Sequence, residues 1–190
     1  LADFLGDSVC AASSVSRPAR EQLVKRFQRN ARQIESATSW LYHVVLAKEI
    51  LRIRAEVQGD VIECGCWKGA STADLSLVCS LVKRKLIVCD SFEGLPADEE
   101  GVVHQYPHLG VFGYYRRGMY AARLDEVKEN IRRSGDIAVC RFVPGFFSDS
   151  LRELSGPIVF AFLDVDLASS MRDCLKYIWP LLADGAFVYT

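Results

Sequence analysis

The stretch Val61-Ile62-Glu63-Cys64-Gly65-Cys66-Trp67-Lys68-Gly69-Ala70-Ser71-Thr72 leaves few folds open to this chain. It begins apolar and β-branched, passes two glycines, and runs into a helical pattern at Leu75, Val78, Cys79 and Val82. Strand, tight glycine turn and helix form the unit with which an open α/β sheet builds a nucleotide-sized pocket at its first crossover. Gly65 and Gly69 let backbone and ligand approach where a side chain would collide. The free N–H groups at the start of the helix offer donors to a polar ligand. Glu63 is the odd residue, because a carboxylate near the end of a buried strand is costly without a partner. The same unit also serves as a plain helix–sheet packing turn, so both readings stay open on this stretch alone.

The rest of the chain repeats the alternation. Residues 1–20 lack a period and read as a loose arm ending at Pro18. Val24, Phe27, Ala31 and Ile34 predict a helix over 21–35. Tyr42, Leu46, Ile50, Ile53 and Val57 predict another over 40–57, with Lys48, Glu49, Arg52, Arg54 and Glu56 on a solvated face. Leu86 to Asp90 is a second strand. Residues 91–120 are irregular and rich in aromatics, with His104 and His108 among them, as in a lid over a site. A helix over 121–134 turns Leu124, Val127 and Ile131 inward and pairs Glu129 with Arg133 outside. A third strand runs from Ile137 to Val143, and Pro144 to Leu151 turns into a short helix. Ile158 to Leu163 is an unbroken apolar run, as in a central parallel strand buried on both faces. A helix over 170–183, capped by Ser170 with Asp173, precedes a fifth strand from Ala186 to Tyr189. Strands alternating with helices predict a parallel, Rossmann-like α/β sheet. Residues 1–58 form an arm and helical cap and 59–190 the core, together one compact domain.

Composition excludes several classes. A chain of 190 residues, half of them apolar, buries one substantial core. A net charge of -1 offers no footprint for nucleic acid or an anionic membrane. No apolar run is long enough to span a bilayer, and the first residues from Leu1 form no signal peptide. The seven cysteines, Cys10, Cys64, Cys66, Cys79, Cys89, Cys140 and Cys174, are odd in number and lack CxxC pairs. That argues against a disulfide framework and a structural zinc site, and for a reducing, cytoplasmic compartment.

Two acidic positions carry chemistry. Asp90 closes the second strand about 20 residues past the glycine turn, the spacing at which a carboxylate meets ribose hydroxyls. Asp164-Val165-Asp166 follows the buried strand at its carboxyl end, where open α/β sheets bind ligands. Paired acids there suit a hard cation or removal of a proton from a hydroxyl.

Several motifs coincide in one family. Glu63-x-Gly65-x-Trp67-x-Gly69, Asp90-Ser91-Phe92-Glu93-Gly94-Leu95-Pro96, Gly145-x-Phe147-x-x-Ser150-Leu151 and Leu163-Asp164-x-Asp166 resemble class I S-adenosylmethionine-dependent methyltransferases. More narrowly, they resemble the macrocin O-methyltransferase family, whose members methylate sugar hydroxyls in natural-product pathways. The resemblance implies that Glu63, Gly65 and Gly69 shape the site of the cofactor's methionine moiety. It implies that Asp90 holds the ribose, that Ser91, Phe92, Gly145 and Phe147 border the adenosine, and that Asp164 lies near the amino group. Asp166 matches the family's Mg2+ ligand and base. The chain departs from the pattern at Val165, Ala168 and Ala186, where the family favours glycine, an aromatic residue and glycine. The family's further acidic ligands and last two strands fall past Thr190, so the sheet is expected to stop after its fifth strand.

The resulting expectation is an O-methyltransferase acting on a small-molecule hydroxyl, with S-adenosylmethionine and Mg2+, without nucleic acid or membrane, and possible as a homo-oligomer. Two alternatives stay open: an NAD(P)-dependent oxidoreductase, and a non-catalytic binding protein on the same fold. Gly65-x-x-x-Gly69 lacks the GxGxxG spacing of the first. No GxSxG elbow supports a serine hydrolase.

Overall fold

The computed structural model describes residues 1–6, 15–97, 104–106, 111–113 and 115–190, with backbone alone at 104–106 and 111–113. Its elements are α1 (Ala2–Leu5), α2 (Arg17–Gln33), α3 (Trp40–Arg52), β1 (Asp60–Cys64), α4 (Ala70–Val82) and β2 (Leu86–Asp90). Then come β3 (His104–Tyr106), β4 (Val111–Gly113), α5 (Leu124–Ser134), β5 (Cys140–Pro144), α6 (Phe147–Ser150), β6 (Ile158–Leu163), α7 (Ala168–Ile178) and β7 (Leu182–Tyr189).

Five strands pair in the order β5-β2-β1-β6-β7, every neighbour parallel. In order of occurrence this is 3-2-1-4-5, the doubly wound arrangement in which strand order reverses beside β1. The predicted Rossmann-like α/β sheet of five parallel strands is the one found. β3 and β4 form a separate antiparallel pair.

Strand periodicity divides the core in two. Val61, Leu86, Val88, Phe160 and Phe162 join Phe27, Leu46, Ile50, Leu75 and Val127 on one face. Ile62, Cys64, Ile87, Cys89, Ala161 and Leu163 join Cys174 and Ile178 on the other. Thus α2 and α3 lie over α4 on the first face, and α7 covers the second. β6 is apolar and buried throughout because both its faces are covered.

Several local expectations are corrected. Ala2–Leu5 is helical with Phe4 buried, and α2 starts at Arg17, where the Ser16 hydroxyl accepts the Ala19 N–H and Pro18 sits in the first turn. The inward face of α2 carries Arg20, Leu23, Phe27 and Asn30, while Ala31 is exposed. α3 stops at Arg52, because Arg84 takes the carbonyls of Arg54, Val57 and Gly59 at 3.1, 2.8 and 2.6 Å and holds that segment in a turn. Glu49 is buried rather than solvated, paired with Lys48 and Arg52.

Further along, α5 starts at Leu124, and Glu129 pairs with Arg132 instead of Arg133, which reaches Asn130. Ile137–Val139 is a 3-10 turn before β5, with the Asp136 carboxylate accepting the Ala138 N–H. α7 begins at Ala168 without a side-chain cap, so Ser170 is a buried helical residue and not the cap. Pro180 ends that helical segment in a 3-10 turn, Trp179–Leu181, and β7 follows at once. Cys10, His108 and Tyr114 lie outside the described residues, and of His104 only the backbone is described. No helix among the described residues is long and apolar enough to cross a membrane.

Candidate active site

The carboxyl ends of β1, β2 and β6 open on a cavity of about 380 Å³. Its floor is the glycine turn. Gly65 has φ +86°, and a Cβ there would stand 2.1 Å from the Asp164 carbonyl oxygen, so glycine is what lets β1 and β6 close together at this point. Gly65 N–H donates to Cys89 O at 2.9 Å and Asp164 N–H to Cys64 O at 2.9 Å, locking the three strand ends. Trp67 is left-handed at φ +43°, an uncommon conformation for a bulky residue. Its indole meets Tyr120 edge-on at 5.5 Å and lies beneath the Lys68 ammonium at 5.0 Å.

Asp90 organises the second wall. Its Oδ2 accepts the N–H groups of Cys66 at 2.8 Å and Trp67 at 3.3 Å, and Oδ1 accepts that of Phe92 at 2.8 Å. Ser91 Oγ donates to Gly94 O at 2.7 Å, while Leu95 and Gly118 exchange backbone bonds with residues across the loop. The Asp90–Pro96 motif is thereby a fixed loop tied to the turn at Gly118–Tyr120. Gly145, at φ +126°, follows β5 and donates to Asp90 O at 3.0 Å. It turns the chain so that Phe147 faces the same cavity.

Asp164 and Asp166 form the third wall. Asp164 is exposed on its cavity side and partly enclosed by protein on the others. That burial, with the charge of Asp166 adding, pushes its carboxyl up to about 6. Glu63 lies fully buried beneath the turn, where the Thr72 hydroxyl donates to Oε2 and Oε1 has no hydrogen-bond partner. Burial pushes its carboxyl up to about 8, Asp164 and Asp90 add to this, and the side chains of Ser71 and Thr72 pull the other way. Cys64 and Cys66 are buried, and burial raises both thiols well above their usual range.

Of the predicted residues, the fold brings Gly65, Asp90, Ser91, Phe147, Asp164 and Asp166 to the cavity wall. Glu63, Gly69, Phe92 and Gly145 stand one layer behind and set the backbone of the turns. Gly69 is left-handed at φ +82° and caps α4, and Phe92 at φ +56° packs near Phe142. The sequence reading missed Ser36, Thr38, Ser71 and Tyr120 on the wall. The run Ser36-x-Thr38-Ser39 before an apolar helix was a signal for a helix start, and Ser39 does cap α3.

The profile of the macrocin-O-methyltransferase (TylF) family matches residues 44–190. The chain belongs to this family. Among its relatives is the 8-demethyl-8-(2,3-dimethoxy-alpha-L-rhamnosyl)-tetracenomycin-C 4'-O-methyltransferase of Streptomyces olivaceus, 34% identical over 146 residues, 70% of this chain and 52% of the relative. The mycinamicin III 3''-O-methyltransferase of Micromonospora griseorubida is 27% identical over 141 residues, 71% of this chain and 55% of the relative. The chain thus spans about half the length of these curated relatives. Solved structures share the fold: the O-methyltransferase NovP, with a TM-score of 0.61 at 22% identity over 92% of this chain and 65% of that one. The calicheamicin methyltransferase CalS11 gives 0.60 at 16% identity, over 90% and 77%. The macrocin O-methyltransferase pattern therefore covers the whole wall described above except Ser36 and Thr38.

Proposed function

We propose that this chain carries the cofactor-binding core of an S-adenosylmethionine-dependent O-methyltransferase whose acceptor is a hydroxyl of a sugar on a natural product. The observation that carries the reading is the meeting of Asp90, Gly65 and the Asp164/Asp166 pair around one cavity, at the switch point of a doubly wound sheet. The two curated relatives are named as O-methyltransferases of a rhamnosyl-tetracenomycin and of mycinamicin III, which sets the acceptor class to try first.

The residues present fit the cofactor. A carboxylate offers about four lone-pair sites, and Asp90 uses three of them on the Cys66, Trp67 and Phe92 amides. The capacity that remains faces a cavity lined by Phe147, Leu95 and Pro96, which suits a ribose hydroxyl beside a flat base. When bound, the cofactor supplies a methyl group made electrophilic by its sulfonium. Asp166 takes the proton of the acceptor hydroxyl as its oxygen attacks, and the walls hold the two reactants in line.

The residues present do not complete a divalent-cation site. Asp164 and Asp166 supply two carboxylates, and among the described residues no group of three His, Cys, Asp or Glu side chains could hold a metal. Asp166 as a Mg2+ ligand stays an expectation of the family pattern, and proton removal is assigned to Asp166 alone. Residues 1–58 as a helical cap, a cytoplasmic location and a homo-oligomer belong to the same reading.

The test is transfer of a labelled methyl group from S-adenosylmethionine to a panel of glycosylated macrolides and aromatic polyketides bearing free sugar hydroxyls. Label in any sugar supports the reading. Cofactor binding with no transfer to any member favours a binding protein, and NADH binding in its place favours an oxidoreductase.

A further inference from the structure

Behind the Ser36–Thr38 wall of the cavity lies a line of buried polar groups that the mechanism above leaves unused. Thr38 Oγ1 is 2.9 Å from His43 Nε2, and His43 Nδ1 is 2.8 Å from Asp74 Oδ2. Asn30 Nδ2 donates to Asp74 Oδ1 at 2.7 Å and to Ser134 O at 3.0 Å. His43 and Asp74 are 2% and 1% exposed. Asn30, His43 and Asp74 come from α2, α3 and α4, at positions where the helix patterns otherwise place apolar side chains. Asn30 Oδ1 is buried without a hydrogen-bond partner among the described residues, so the network is held at a cost, and the bonds it does make fix His43 and Asp74 relative to Thr38.

The geometry has a direction. Asp74 turns Oδ1 to the Asn30 amide and Oδ2 to the His43 ring, so both oxygens are placed as acceptors; burial pushes its carboxyl up, and the His43 ring, the Asn30 amide and the Arg26 guanidinium pull the other way. A neutral ring that donates from Nδ1 to this carboxylate keeps a lone pair on Nε2, which takes the hydrogen of the Thr38 hydroxyl. Ser36 Oγ accepts the Thr38 N–H at 3.2 Å and lies 3.2 Å from Thr38 Oγ1; with the Thr38 hydrogen given to His43, the Ser36 hydroxyl is the donor of that pair. Both hydroxyl hydrogens are committed inside the protein. What Ser36 and Thr38 turn toward the cavity is lone pairs. Asp164 lines the same cavity and adds a third acceptor.

We propose that Asp74 and His43 are positioning residues that fix Thr38, and through it Ser36, as acceptors for the ammonium group at the amino-acid end of the bound cofactor. This assignment rests on the cofactor reading above. It names the end of the ligand that the Ser36–Thr38 wall selects, and it makes α2, α3 and α4 part of the site through side chains that never touch the ligand.

Two measurements test it together. S-adenosylhomocysteine and its analogues lacking either the α-amino or the α-carboxyl group are titrated into the unmodified protein, Thr38→Val and Thr38→Ser. In parallel, the ring nitrogens of His43 are read by nitrogen-15 NMR in the unmodified, ligand-free protein. Thr38→Val is expected to bind S-adenosylhomocysteine about tenfold or more weakly, as for loss of a hydrogen bond to a charged group, and Thr38→Ser to restore it. The loss should persist with the decarboxylated analogue and vanish with the deaminated one, and Nδ1 should be protonated with Nε2 bare. Unchanged binding in Thr38→Val, a loss that follows the carboxyl group, or a doubly protonated ring overturns the proposal. Absence of binding by the unmodified protein overturns the cofactor reading and this assignment with it, whereas normal binding with no Thr38 effect overturns this assignment alone. Where Thr38→Val fails to fold, the His43 tautomer and the Thr38→Ser titrations decide.

Discussion

The Asp90 carboxylate at the end of β2 accepts the backbone N–H of Cys66, 2.8 Å away in the glycine turn at the end of β1. One side chain therefore holds the shape of the turn and faces the cavity beside it. Asp90→Asn removes the charge and puts an NH2 group against at least one of the amides it now serves. Urea unfolding should show a loss of about 2 kcal/mol or more, and S-adenosylhomocysteine should bind at least tenfold more weakly. Unchanged values for both would mean that the clamp carries no weight.

Two left-handed glycines separate steric closeness from conformational strain. Gly65 has Asp164 O 2.1 Å from where a Cβ would sit, while Gly118, at φ +83°, has nothing within 4 Å. Gly118→Ala should cost only about 1–2 kcal/mol, the penalty of a left-handed alanine. Gly65→Ala should cost roughly 4 kcal/mol or more, or prevent folding, because β1 and β6 must part. Thermal and urea unfolding of the pair measures the difference.

Glu63 makes stability depend on pH in an unusual direction. Its carboxyl rises from an ordinary 4.5 to about 8 in the folded chain, so the folded state holds the proton more tightly than the unfolded one. Its contribution to stability is fully present below about 4.5 and is lost as pH rises through about 8. Glu63→Gln keeps the shape without the ionisation. It should flatten the stability profile across that range and leave the variant more stable than the parent above it, by on the order of a few kcal/mol. Parallel profiles for the two proteins would show that Glu63 ionises normally.

Asp166→Asn should separate chemistry from binding. As the group that takes the acceptor's proton, its loss should lower kcat by roughly a hundredfold to ten-thousandfold. Affinity for S-adenosylhomocysteine should stay within about twofold, since Asp166 is assigned no contact with the cofactor, and kinetics on an accepted glycoside beside calorimetry on the same variant read both numbers. A fall in cofactor affinity with unchanged kcat would reverse the roles of Asp164 and Asp166.

What could be read in the sequence was what is written locally. β2 and β6 have the predicted bounds, 86–90 and 158–163, because strands covered on both faces leave unbroken apolar runs between polar ends. The end of α3 was hidden, since the apolar period continues through Ile53 and Val57 and the residue that stops it, Arg84, lies beyond β1. The site divides in the same way. Asp90 ends its strand and Gly65 and Asp164 follow theirs directly, so motif and position coincide. Thr38, His43 and Asp74 meet only because α3 and α4 are packed side by side, and no local pattern marks a histidine whose partner is 31 residues away.

Calorimetric titration of S-adenosylhomocysteine, with NADH titrated in parallel, tests the central claim most directly. Asp90, Gly65 and Asp164 around one cavity predict micromolar binding of S-adenosylhomocysteine and none of NADH. A folded protein that binds NADH, or binds neither, would contradict the assignment of this cavity to the methyl-donor cofactor.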